Sequence, residues 1–270
     1  MPGDERGRGW APGTRRYRVL ARYPHTAGMV SLVLTPCEAG VAVPDALPGQ
    51  YWVLHTESGM RVAAVTGGAS AELEVTTLRV PCGESFGDPG TVLGVRGPFG
   101  TGWELRAAAG SPLLLAAWEA GLATLRPVLD EVLAGTDRYA DVRIWVGGSR
   151  PTALPPHSDA DLWVARGIDV TIATGPGLSM ADAADDQPDP PPGTVALLAG
   201  PVPMTLETAR RLAARGVAAH RIQVAAHSLI RCTDAVCGRC HVGDRRTEHT
   251  LLACKNGPVF GYDQLARLGH

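Results

Sequence analysis

The sequence predicts an antiparallel β barrel, then an α/β doubly wound parallel sheet, then a small C-terminal domain built around cysteines. Three observations predict it. Short apolar runs punctuated by Gly and Pro fill the stretch from Tyr17 to about Gly102. From about Ser111, strand-like runs alternate with helical spacing. Four of the six cysteines then crowd into the 23 residues from 232 to 254.

The barrel strands are read first. Val30-Ser31-Leu32-Val33-Leu34 is one run, and Tyr51-Trp52-Val53-Leu54 follows the turn pair Pro48-Gly49. Leu73 to Val80 alternates apolar and polar at period two, and Thr91 to Val95 follows Asp88-Pro89-Gly90. Regular short strands between Gly/Pro turns suit a small barrel. Next, Leu113 to Ala117 reads as a buried strand. Leu122 to Ala134 places Leu125, Val128, Val132 and Leu133 on one helix side. Strands follow at Val142–Val146, Asp169–Ile172, Val195–Ala199 and Ile222–Val224, with a helix over roughly Met204 to Arg215. That alternation implies parallel strands with ligands at their C-terminal ends. Asp182 to Gly193, rich in Pro and Asp, reads as a mobile loop. The expected domains are 1–104, 105–226 and 227–270.

Bulk properties exclude several function classes. A net charge of −2 offers no broad basic field for nucleic acid. No apolar run reaches the roughly 18 residues that suggest a membrane helix. Met1 to Pro12 is polar, with no signal-peptide core. The pair Arg15-Arg16 is followed by Arg18, Arg22, Pro24 and His25, which would spoil a twin-arginine export signal. The expected location is cytoplasmic. Cys37 and Cys82 lie far from the other cysteines and read as small buried or incidental residues.

The cluster is Cys232-x4-Cys237-x2-Cys240, with Cys254 thirteen residues further on. C-x4-C-x2-C with a distant fourth cysteine is the plant-type 2Fe–2S spacing, and iron bridged by sulfide is held by thiolates. Gly238 leaves room inside the tight loop, and Arg231 and Arg239 can offset the cluster's negative charge. Zinc on the same four thiolates is the alternative; it prefers two C-x2-4-C knuckles, and only one C-x2-C is present. His241 and His249 are possible substitute ligands for zinc. A Rieske centre needs two histidines at a spacing this loop lacks. Some forty residues with few large apolar side chains need such a staple to hold a fold.

Several stretches carry a family resemblance. They are Pro48-Gly49-Gln50-Tyr51, the run Gly94 to Trp103 (GVRGPFGTGW), Leu125-Arg126-Pro127-Val128, Ala199 to Met204 (AGPVPM), and the cysteine loop ending in Ala253 to Phe260 (ACKNGPVF). On these the chain resembles ferredoxin-NADP-reductase-like electron-transfer subunits. It is similar to the gamma, NAD(P)H:flavin oxidoreductase, subunit of nickel–iron hydrogenases and sulfhydrogenases, and to the electron-transfer subunit of dihydroorotate dehydrogenase. The resemblance implies an FAD barrel, an NAD(P) domain and a 2Fe–2S domain. It also implies catalytic and electron-transfer partner subunits, possible hydrogenase among them. It carries Arg61 over as a flavin contact and Gly121 as a nucleotide contact.

Two stations depart from the family pattern. Where the family has a glycine-rich turn, this chain has Trp118-Glu119-Ala120-Gly121. A carboxylate about 5 Å from a phosphate costs roughly 3 kcal/mol at an effective dielectric of about 20, about a hundredfold in affinity. The family's cysteine beside the nicotinamide is Ala199. On the flavin strand, Arg61 is followed by Val62-Ala63-Ala64, which offer no hydroxyl, and Pro81 to Gly87 is short for a pyrophosphate loop. The expectation is therefore an electron-relay subunit with a degenerate nicotinamide site and an eroded FAD site. An active FAD-dependent NAD(P)H oxidoreductase and a zinc-stabilised structural or assembly subunit are the alternatives. No catalytic acid or base is expected; His227, Trp103 and Trp145 read as packing or interface residues.

Overall fold

A computed structural model describes residues 10–25, 29–57, 59–68, 71–77, 86–151, 154–232, 237–242 and 251–268. Six strands close the N-terminal barrel: β1 (Arg15–Pro24), β2 (Val30–Pro36), β3 (Tyr51–Thr56), β4 (Gly59–Gly67), β5 (Leu73–Thr77) and β6 (Val92–Phe99). Their order around it is β1-β2-β5-β4-β3-β6. The period of two sends Tyr17 and Val19, Leu32 and Leu34, and Val75 inward to one core. The expected run from Leu73 ends at Thr77 as a strand; Leu78 to Val80 lie outside the described residues.

The second unit is a six-stranded sheet. Its parallel strands are β7 (Pro112–Trp118), β8 (Asp141–Gly148), β9 (Asp169–Thr174), β10 (Val195–Ala199) and β11 (Ile222–Ala225); β14 (Val259–Gly261) adds an antiparallel edge. The order is β14-β11-β10-β7-β8-β9. The chain winds outward from β7 in one direction and from β10 in the other, so the topological switch lies between them. Helices α1 (Gly121–Ala134), α2 (His157–Ala165), α3 (Met180–Asp185) and α4 (Val202–Ala214) provide the crossovers.

Both faces of the central strands β7, β8 and β10 are buried, which is why these read as continuous apolar runs, whereas the edge strand β9 is partly exposed. Alternate residues of β7 divide between two cores. Leu113, Leu115 and Ala117 pack with Leu125, Val128 and Leu129 of α1. Leu114, Ala116 and Trp118 pack with Ala209 and Leu212 of α4. This second core runs on into Tyr51 and Val53 of the barrel and into Cys240 and Cys254.

The expected loop from Asp182 begins as helix instead. Ser179 caps α3: its Oγ accepts from the Asp182 N–H at 3.1 Å, and Asp182 accepts from the Ser179 N–H in return. A Ser-x-x-Asp pair makes this capping box with the shorter acid, so the usual Glu/Gln signature is missing. The irregular stretch is shorter than expected by that helix.

The C-terminal residues contribute β12 (His241–Val242), β13 (Leu251–Leu252), α5 (Ala253–Asn256) and α6 (Tyr262–Ala266). Strands β12 and β13 pair antiparallel as a short ribbon. Among the described residues no helix is long and apolar enough to cross a membrane.

Candidate metal centre and its surroundings

Three parts of the chain deliver the four cysteines. Cys232 follows the turn at the end of β11, Cys237 and Cys240 sit on the next loop, and Cys254 lies in α5. The ribbon sets the spacing between the last two. Cys240 immediately precedes β12, Cys254 sits in the first turn after β13, and the Ala253 N–H donates to the Cys240 carbonyl at 2.8 Å. Cys232 Sγ is 3.8 Å from both Cys240 Sγ and Cys254 Sγ, and the three sulfurs lie within 4.8 Å of one another. Cys237 is the exposed member and hydrogen-bonds through its thiol to Cys232.

Backbone donors face these sulfurs. The Arg231 N–H donates to Cys240 Sγ at 2.9 Å, the Cys237 N–H to Cys232, and the Arg239 N–H to Cys237. Such bonds favour thiolate over thiol. Burial opposes ionising Cys232, yet hydrogen bonds from Cys237, Cys240 and Cys254 bring it down to about 7. Burial, then the nearness of Cys240 and Cys232, pushes Cys254 up to about 12. Three thiols this close, with the exposed Cys237 hydrogen-bonded to one of them, cannot all ionise by themselves. A metal that replaces their protons removes the conflict, so the donor set fits a thiolate-bound centre. A separation of 3.8 Å is the edge of a tetrahedron with metal–sulfur bonds of about 2.3 Å. His241 is outside this sulfur group, and His249 lies outside the described residues.

The cysteine loop is fastened to the barrel at three points. Tyr51 OH donates to the Cys254 carbonyl at 3.2 Å. His227 Nε2 bonds the Gly49 carbonyl at 2.7 Å, and its ring meets Tyr51 edge-on. The Thr101 N–H donates to the Gly257 carbonyl at 2.8 Å, and Thr101 Oγ1 to the Val259 carbonyl at 2.9 Å. Gly100 has φ +79°, and a Cβ there would run into Gly257 and Pro258, so only glycine permits this approach. The stretches 48–51, 97–103 and 253–260 are therefore neighbours in space. Sequence reasoning named all three and missed their convergence. Burial pushes the His227 imidazole down to about 4, with the Gly49 bond working the other way, so the ring is neutral. It is a packing residue; the signal that could have marked its role is its place just before the cysteine loop.

At the switch point the backbone is closed. Gly121 opens α1, and a Cβ there would collide with the Ala199 carbonyl at the end of β10; packing alone requires glycine here. Trp118 is 2% exposed, and its ring lies so close to Gly147 that a Cβ there would collide with it. Glu119 takes φ +50°, a left-handed conformation that costs a side-chain-bearing residue roughly 1–2 kcal/mol. Its Oε1 accepts from Ser149 Oγ at 2.6 Å and from the Ser149 N–H at 3.2 Å. The carboxylate therefore occupies the Ser149 donors just past the C-terminal end of β8, among the strand ends where an α/β sheet takes its ligand. Ser149 is a partner the sequence did not reveal.

Arg61 lies on β4, half-buried, with Nη1 donating to the Met60 carbonyl at 3.2 Å. Ala63 and Ala64 are 0% and 1% exposed, and α1 packs against β4. Outward hydroxyls of neighbouring strands bond one another: Ser31 to Thr76 at 2.7 Å, and Thr76 to Thr66 at 3.2 Å. The two alanines carry no polar group, and Arg61 is the polar side chain of this stretch. Trp103 and Trp145 are core residues, each 6% exposed; Trp103 Nε1 donates to the Thr124 carbonyl at 3.0 Å. Cys37, expected to be buried or incidental, is exposed at the end of β2, where no packing neighbour covers it, and Cys82 lies outside the described residues.

Comparison with known proteins sets this geometry in context. No protein-family profile matches the chain. Sulfhydrogenase 2 subunit gamma of Pyrococcus furiosus is 28% identical over 204 residues, 67% of this chain and 69% of that protein. A probable dihydroorotate dehydrogenase B (NAD(+)) electron transfer subunit of Methanopyrus kandleri is 28% identical over 226 residues, 81% of this chain and 80% of that protein. The chain is a homologue of these electron-transfer subunits. Solved structures agree on the fold. The NADH-dependent reduced ferredoxin-NADP oxidoreductase superposes with a TM-score of 0.68 at 18% identity, covering 96% of this chain and 94% of that one. The ferredoxin reductase of carbazole 1,9a-dioxygenase gives 0.63 at 21% identity, covering 78% and 68%. The barrel and sheet of this chain are thus ferredoxin-reductase-like in fold, as the sequence predicted, and its C-terminal cysteines form a group able to hold a metal.

Proposed function

We propose that this chain is an electron-transfer iron–sulfur subunit of a multi-subunit, hydrogenase-like redox enzyme. It relays electrons through one 2Fe–2S cluster on Cys232, Cys237, Cys240 and Cys254, and its nicotinamide site and flavin site are degenerate. The convergence of three thiols, with Cys237 hydrogen-bonded to one of them and three backbone N–H groups aimed at the cysteine sulfurs, carries the reading. When bound, the cluster supplies one-electron transfer. The protein's own task is to hold the thiolates. The ribbon fixes Cys240 against Cys254, the N–H donors stabilise sulfur charge, and Tyr51, Thr101 and His227 fix the loop to the scaffold.

The degenerate nucleotide site is supported by Glu119, whose carboxylate satisfies the Ser149 donors, and by the Trp118 ring beside Gly147. Degeneracy of the flavin site is supported by Ala63 and Ala64; Arg61 remains as its one polar side chain. Gly121 is kept for packing rather than for phosphate. Partner subunits follow by analogy with the sulfhydrogenase and dihydroorotate dehydrogenase relatives.

Metal, sulfide and flavin analysis of anaerobically purified protein is the test. About two irons and two labile sulfides per chain, with no extractable FAD, is the expected result. The 3.8 Å sulfur edges equally suit one tetrahedral ion, so a second reading is a structural zinc site. A colourless preparation with zinc and no iron would establish it. FAD bound to each chain and reduced by NADH would instead restore the active oxidoreductase reading.

A further inference from the structure

Each of three cysteines has a cation as its chain neighbour: Arg231 beside Cys232, Arg239 beside Cys240, and Lys255 beside Cys254. Lys255 is the only lysine in the chain. Cys240 and Cys254 are buried while all three cations are exposed, as is Cys237. The arrangement turns sulfur inward and positive charge outward around one exposed ligand. None of the three forms an ion pair among the described residues. Arg231 Nη1 is instead held by the Ser228 and Ile230 carbonyls at 2.8 and 3.0 Å, which keeps its guanidinium beside the loop. Some other surface arginines are paired, Arg126 with Asp159, Arg215 with Asp189 and Arg267 with Asp263, while Arg106, Arg138 and Arg150 are, like the three cations beside the cysteines, without an ion pair among the described residues. Between 231 and 255 the sequence carries five cations against three carboxylates, in a chain whose net charge is −2.

We propose that these cations form a docking face for an acidic one-electron carrier protein, and that electrons enter or leave at the Cys237 side. The proposal rests on the 2Fe–2S reading above. One electron passes between the cluster and the carrier's own redox centre; one is oxidised as the other is reduced, and no bond or proton moves. Steering is the physical role of the cations. Exposed cations raise the encounter rate with an oppositely charged partner over about a Debye length, about 8 Å at physiological salt, and salt suppresses the gain. A role confined to offsetting the cluster's own charge would shift its potential without any dependence on the partner's charge.

The test uses the full-length, cluster-loaded protein and its R231Q/R239Q/K255Q variant. K255E serves as a second variant of one exposed residue. Stopped-flow electron transfer is followed from the reduced protein to two oxidants, an acidic plant-type 2Fe–2S ferredoxin and the cationic hexaammineruthenium(III) ion, at low and high salt. The wild-type rate toward ferredoxin should fall steeply with salt. The triple variant should be about tenfold slower toward ferredoxin at low salt with a flattened salt slope, and no slower toward the ruthenium complex. Equal ferredoxin rates and slopes in wild type and variants, or an equal slowing toward both oxidants, overturn the docking face while leaving the cluster reading intact. A preparation without iron at the cysteines overturns the cluster reading, and the docking face with it.

Discussion

His227 shows how one buried side chain ties stability to pH. Burial holds its folded pKa at about 4, against about 6.5 when exposed. As pH falls, the unfolded chain takes up the proton first. Stability present above about pH 6.5 is therefore lost between there and about pH 4, by about 3 kcal/mol at roughly 1.4 kcal/mol per unit. Urea denaturation of the wild type and of His227→Gln across that window checks this, because Gln does not titrate. The stability gap between the two should narrow as pH falls; a constant gap contradicts the assignment. Glu119 is the second telling residue. Glu119→Gly relieves a left-handed backbone worth roughly 1–2 kcal/mol and loses two hydrogen bonds worth about 1 kcal/mol each. The stabilities of the two proteins should agree within about 1 kcal/mol. Calorimetric titration of the wild type with NADH should show no saturable binding, and a micromolar affinity would restore the nucleotide site.

At the scale of elements, the joint between barrel and cysteine loop is the part that residue types alone did not disclose. Thr101→Val keeps the side-chain shape but leaves the Val259 carbonyl without its side-chain donor, a loss of roughly 1–2 kcal/mol. Hydrogen exchange should quicken in β14 and change little in β2 or β5; uniform quickening would show that the bond is not local. Strands β2, β3 and β7 were legible because β-branched and leucine side chains are packed on their buried faces. β4 was legible only through resemblance, since Ala63 and Ala64 are both buried and leave no alternation to read. In β1, arginines around Tyr17 and Val19 mask a strand with only one face inside. α3 was hidden by its aspartates, one of which is its own cap. The cysteine group was legible because cysteine spacing along the chain is itself a chemical signal. The contacts of Tyr51, Thr101 and Ser149 join residues far apart in sequence, and no periodicity reports them.

For the molecule as a whole, the question is whether the segment 227–270 is a domain in the thermodynamic sense. Cys240, Val242, Ala253, Phe260 and Leu265 belong to the same core as Leu114, Leu198 and Val224 of the sheet. β14 completes that sheet by pairing with β11, and Val224 lies opposite Phe260. A segment that buries its apolar side chains against another unit loses that burial when cut free, at about 25 cal/mol for each Å² returned to water. Four metal–thiolate bonds can close its loops but cannot replace the missing face. The isolated 227–270 peptide, reconstituted with iron and sulfide under anoxic conditions, should therefore stay unfolded by circular dichroism. Truncation after residue 226 should leave β11 as a bare edge and lower the melting temperature of the remaining sheet. A peptide that folds around its cluster unaided would place the boundary at 227 as a true domain border. The sheet would then be a separate scaffold rather than half of the cysteine segment's own core.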